Sequence, residues 1–111
     1  MEFKKHRLTA TGRDAVFTEV WFEVATARVF ECEVLGFEIY CEDAGSRKRT
    51  VQQTVRTLRA MKEKGMLQFF ATADYFERGS AEAEFLKNKY PRLTDEFTAD
   101  VENLELILVK L

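Results

Sequence analysis

Residues 46–64 read SRKRTVQQTVRTLRAMKEK, and the spacing of their apolar side chains predicts one long amphipathic helix. Val51, Val55 and Leu58 recur at steps of four and three, with Thr54 and Met61 on the flanks of the same stripe. At about 100° per residue these five span roughly 120°, the width of a helix face laid on a sheet. Ser46 is placed to cap the first turn through its hydroxyl. Gly65 follows directly and suits the left-handed position that ends a helix. Lys62 and Lys64 fall in the last turn, where they complement the negative end of the macrodipole.

The polar side of this helix is cationic. Lys48 and Arg59, eleven residues apart, project at nearly the same angle, and Arg49 and Arg56 project beside them. Only Glu63 is acidic. Arg47, Lys48 and Arg49 meet the positive end of the dipole, so helix stabilisation does not account for them. A solvated face whose long stems cover apolar surface is the plain explanation, and a binding stripe of Arg47, Lys48, Arg49, Arg56 and Arg59 is the functional one.

Charge is segregated along the chain. Residues 1–44 hold five basic and nine acidic side chains, residues 45–64 seven and one, and residues 65–111 five and nine. The net charge of −2 gives no general attraction to nucleic acid or to an anionic membrane, so an anion must find one patch. A chain of 111 residues with 46% hydrophobic and 32% charged content fits one folded domain. Ten Phe imply an aromatic-rich core or interface. Cys32 and Cys41 are the only cysteines, with no CxxC and no zinc-ligand spacing. The first residues, MEFKKHRLTATG, have no apolar signal core, and a cytoplasmic protein with two unpaired thiols is expected.

In chain order, residues 3–10 read as a first strand at a cation-guarded edge, and Gly12-Arg13-Asp14 as a turn. Residues 15–25 alternate, with Val16, Thr18, Val20, Phe22 and Val24 on one side and Phe17, Glu19, Trp21 and Glu23 on the other, which predicts a second strand. Residues 28–41 predict a third, whose apolar parity switches at Gly36, as a β-bulge there would produce. Residues 66–73 read as an interior strand, 74–79 as a loop, and 80–89 as a helix capped by Ser80 and stopped by Pro91. Residues 92–97 carry no regular pattern, and 99–111 form a strand apolar on both faces.

The expected fold is therefore α+β in the order β-β-β-α-β-α-β: a mainly antiparallel sheet of about five strands with two helices on one face. Phe17 and Trp21 then lie uncovered on the other face, which predicts a homodimer with those two residues at the contact.

Catalysis is poorly supported. His6 is the sole histidine and has no nucleophile beside it in sequence. Glu42, Asp43 and Asp74 at strand ends form a candidate Mg²⁺ site without DxD spacing or a phosphate loop. The leading expectation is a non-catalytic interaction module, without cofactor or metal, that presents its cationic helix to an acidic protein surface. The second is an accessory domain contacting nucleic acid, for which the stripe lacks stacking aromatics. The third is a small enzyme or ligand-binding protein using the three carboxylates. A membrane-surface role is disfavoured, because the helix needs its apolar arc for the core. No family pattern can be matched residue by residue.

Overall fold

In the computed structural model, which describes residues 2–72, 80–97 and 102–111, the long basic helix forms as its spacing predicts. The elements run β1 (Phe3–Arg7), α1 (Arg13–Val29), β2 (Val34–Tyr40), α2 (Ala44–Glu63), β3 (Phe69–Thr72), α3 (Ala81–Lys89), a single turn α4 (Leu93–Glu96) and β4 (Leu104–Lys110). The architecture is α+β, but the order, the strand number and the helix placement differ from expectation. Among the described residues the sheet has four strands, in the order β1-β2-β4-β3. It is mixed: β1 runs parallel to β2, while β4 is antiparallel to both β2 and β3.

The largest correction is α1, which occupies the stretch expected to be a strand. Val16, Val20 and Val24 fit both a period of two and a helical step of four. Thr18 and Phe22 separate the two: the strand buries them with the valines, whereas the structure leaves both exposed. The helix buries Val16, Val20, Val24 and Ala27, a 4-4-3 stripe that outweighs the modest helix penalty of β-branched residues. Gly12, at φ 94°, is its N-cap and supplies no side chain. At the other end Glu31 adopts φ 55°, its amide donates to Arg28 O, and the Cys32 amide donates to Ala27 O. This is a Schellman ending with a glutamate where glycine is usual. Helix α2 ends the same way on Gly65, at φ 76°, with Gly65 N to Lys62 O and Met66 N to Met61 O.

Helix α1 connects the parallel pair β1–β2, so the three successive antiparallel strands expected over residues 3–41 are not formed. The parity switch at Gly36 is not a bulge either. Strand β2 pairs without interruption to β1 on one side and to β4 on the other. Both parities are apolar because both faces are covered. Leu35, Phe37 and Ile39 pack with Ile107 and Val109 beneath α1 and α2, against Val16, Val20, Leu58 and Met61. Val34, Leu106 and Leu108 pack on the opposite face with Leu86, Tyr90, Leu93 and Phe97 from α3, α4 and their flanks. Gly36 faces that second cluster, where a Cβ would run into the ring of Phe97.

Strand β1 lies at an edge as expected, and β4 lies in the interior. Among the described residues strand β3 is an edge strand, not an interior one, and pairs only with β4. Asp43, not Ser46, caps α2, its carboxylate accepting from the Ser46 amide at 2.8 Å. Ser80 caps α3 through the Ala83 amide, and residues 93–96 form a turn of helix where no pattern predicted one. The expected loop at 74–79 lies outside the described residues. Among the described residues no helix is long and apolar enough to cross a membrane.

The left-handed glutamate gives a direct check on how α1 ends. Glu31→Gly relieves a conformation that costs about 1 kcal/mol in a non-glycine residue. Chemical denaturation should show the variant about 0.5–1 kcal/mol more stable than the native chain.

Candidate binding cleft beside helix α2

Helix α2 buries Thr54, Thr57, Leu58 and Met61 and half-buries Val51 and Val55. The threonines are tolerated there because Thr54 Oγ1 donates to Thr50 O at 2.8 Å and Thr57 Oγ1 to Gln53 O at 2.9 Å. Fixing that face toward the sheet fixes where the cations go. They do not form one stripe.

Arg47 is a structural residue. Half-buried, it donates from Nη1 to Cys41 O and to Asn103 Oδ1, tying the start of α2 to the end of β2 and the turn before β4. Arg49 donates to Ser46 Oγ at 3.0 Å. Hydrogen bonds from Ser46 hold the Asp43 carboxyl below the usual carboxylate range, with the Arg49 and Arg47 charges adding to the effect. Arg56 opens on a groove of about 360 Å³ between α1 and α2, with Arg13, Asp14, Phe17 and Gln53. Lys48 and Arg59 point the other way, toward β3.

On that side two clefts meet at Thr72. One, of about 380 Å³, is lined by Arg47, Lys48, Val51, Gln52 and Glu105; the other, of about 290 Å³, by Val55, Arg59, Lys62, Glu82 and the strand residues Phe69–Thr72. Lys48, Gln52, Val55, Arg59 and Lys62 follow one another at steps of four and three, a single row along the helix. The row faces the edge of β3, a strand that pairs on one side only among the described residues. Lys48, Arg59 and Lys62 are exposed, and among the described residues none of them makes an ion pair. Lys62 was expected only to serve the helix dipole. Its place in the row was legible from the same 4-3 spacing that revealed the apolar arc.

Other expected site residues go elsewhere. Phe17 is partly exposed and Trp21 half-buried, their rings 6.4 Å apart on the α1 flank that meets α2. Lys64 Nζ sits 5.7 Å from the Trp21 ring centroid. Glu42 is exposed, Asp43 is committed to its cap, and Asp74 lies outside the described residues. Among the described residues no three His, Cys, Asp or Glu side chains come together to hold a metal ion. Cys32 is buried, Cys41 half-buried, and both are unpaired. Burial pushes the Cys32 thiol up.

His6 belongs to a clasp between β1 and α1. Its Nε2 lies 3.2 Å from Glu19 Oε2, and its Nδ1 lies 3.6 Å from Glu23 Oε2, which also meets Lys4 Nζ at 3.3 Å. Glu19 further accepts from the Thr9 amide at 3.0 Å and the Thr9 hydroxyl at 2.8 Å. Burial alone pushes the Glu19 carboxyl up, but the bonds from Thr9 and His6 together outweigh it and leave it below its ordinary value. With both ring nitrogens facing carboxylates, His6 is a structural residue.

No family model, curated protein sequence or solved structure matches the chain, so the geometry of the cleft carries the functional argument.

Two predictions separate structural from available charges. Arg47→Ala should cost about 1.5 kcal/mol, the worth of hydrogen bonds from a charged donor. Lys48→Gln, Arg56→Gln and Arg59→Gln should each stay within about 0.5 kcal/mol in urea denaturation. Glu19, with its lowered pKa, contributes stability that is complete above its unfolded value of about 4.3 and is lost as pH falls through the folded value. Glu19→Gln should therefore destabilise the protein by about 1 kcal/mol at pH 7, and the difference from the native chain should shrink as pH falls below about 4.

Proposed function

We propose that this chain is a non-catalytic interaction module that receives an acidic, extended segment of a protein partner in the cleft between α2 and β3. One observation carries this reading: the row of Lys48, Arg59 and Lys62, free of ion pairs among the described residues, runs beside a strand edge. An added strand satisfies the backbone groups of such an edge, and side chains at alternate positions supply specificity. Carboxylates on the incoming segment then meet the α2 cations, while Val51, Val55 and Phe70 offer apolar contact. Glu82 and Glu105 on the cleft walls leave the net local charge positive and disfavour a densely charged polyanion. That balance favours a protein segment over nucleic acid, whose affinity grows with every phosphate neutralised.

The test is fluorescence anisotropy with a labelled peptide of alternating Glu and Val, against a single-stranded oligonucleotide of equal charge. The peptide should bind more tightly than the oligonucleotide, and more weakly as salt rises and the screening length falls to about 8 Å. Replacing Lys48, Arg59 and Lys62 together by Gln should weaken peptide binding at least tenfold, with the fold intact by circular dichroism. Peptide affinity unchanged in that variant, or tighter binding of the oligonucleotide, overturns the proposal.

A further inference from the structure

Among the described residues helix α1 is covered on three sides and largely exposed on the fourth. Val16, Val20, Val24 and Ala27 face the core, Phe17 and Trp21 lie toward α2, and Glu19 and Glu23 are clasped by β1. What remains is the exposed Ala15, Thr18, Phe22 and Val29 with the half-buried Ala25 between them, at steps of three, four, three and four. This is the a/d spacing of a two-helix seam, and it carries no charge. Phe22 is 66% exposed and Val29 78%, and Phe30, the C-cap residue just past the helix end, is also 66% exposed. A surface helix ordinarily turns polar residues outward; one apolar all round has something packed on every side. Singly exposed apolar residues are common, but a contiguous stripe rimmed by polar groups marks a contact.

We infer that this face pairs with the same face of a second copy, the two α1 helices antiparallel about a two-fold axis near Phe22. This goes beyond the proposed function and does not depend on it, because the seam is a different surface from the α2–β3 cleft. Two observations select the occupant and its direction. The 3-4 seam is self-complementary, as a two-fold contact requires. Asp14 and Arg28 lie on one flank of it at opposite ends, both exposed and neither in an ion pair among the described residues. Antiparallel packing brings Asp14 of each copy to Arg28 of the other, at both ends at once. Parallel packing sets the Asp14 flank of one copy against the Glu19 flank of the other, and like charges repel.

Centred on Phe22, the register sets Ala15 opposite Val29, seven residues to either side, and brings Thr18, four residues before the centre, within about one helical rise of Ala25, three residues after it, small against large or small against small, so the helices approach closely. Trp21, on the Asp14–Arg28 flank, comes beside its equivalent. Of the two residues expected at a dimer contact, Trp21 lies beside this seam. Phe22, taken from sequence as a core residue, becomes the centre of the contact, and Phe17 moves into the groove with α2. A helix of seventeen residues is about 25 Å long. A single helix pair is a small contact beside the roughly 1,600 Å² of a standard stable interface, so micromolar dissociation is expected.

Sedimentation equilibrium from low to high micromolar concentration tests this. The native chain should move from its 12.9 kDa mass toward twice that value, with Trp21 emission shifting to shorter wavelength. Phe22→Glu should remain at the single-chain mass throughout, with unchanged circular dichroism, because the side chain faces outward. Direction is read by oxidative cross-linking in a Cys41→Ser background. A mixture of Thr18→Cys and Ala25→Cys chains should form the mixed dimer at least tenfold more than either self-linked product. A native chain monomeric at the highest concentration, a dimer that survives Phe22→Glu, or dominant self-linking overturns the inference.

Discussion

The pairing of β2 with β4 is the constraint on which the rest of this structure depends. Seven residues of each strand are in register, from Val34 with Lys110 to Tyr40 with Leu104. Both strands are interior, and both turn apolar side chains to either face. A two-sided apolar sheet centre has no stable arrangement in water unless each face is covered. Helices α1 and α2 cover one face and α3 with α4 the other, each contributing a separate cluster. Even the buried Lys110, only 5% exposed, follows from membership in this strand: burial, with the nearby Lys89 charge adding, pushes its ammonium pKa down, and Nζ bonds Leu111 O at 3.0 Å.

Much of this was legible where a residue type has one physical meaning. Gly65 after a 4-3 apolar stripe marks a helix end, and Ser80 before Glu82 and Glu84 marks a helix start. Helix α1 was not legible, for two reasons that compound each other. Valines four apart satisfy both periods, and the glutamate at position 31 conceals an ending that glycine advertises in α2. With only one face of the sheet expected to be covered, the parity switch at Gly36 reads as a bulge. Its actual reason, a phenylalanine ring from sixty-one residues downstream, is tertiary and leaves no local trace.

The candidate cleft divides along the same line. That α2 is cationic is plain from composition, and Lys48 and Arg59 do share a side. Which cations remain available is decided by neighbours that sequence spacing does not reveal. Arg47 is absorbed by Cys41 and Asn103, Arg56 opens toward α1, and the value of Lys62 depends on β3 being an edge. A stripe drawn on a helical wheel treats one helix as alone in water, whereas packing on α1 and the sheet sorts its charges into separate grooves.

The position of β4 also bears on how the chain acquires its structure. Its partners in β2 lie 64 to 76 residues earlier, and it is inserted between two strands that precede it. The β1-α1-β2 unit assembles from contacts close in sequence, but β2 and β3 are joined only through β4, which arrives between them later. Loop closure over such separations is entropically costly and slows the rate-limiting step. An emerging chain therefore carries an unzipped β2 edge and a half-covered apolar face until residues 104–110 are made. That interval, more than the finished molecule, is when this protein is exposed to aggregation.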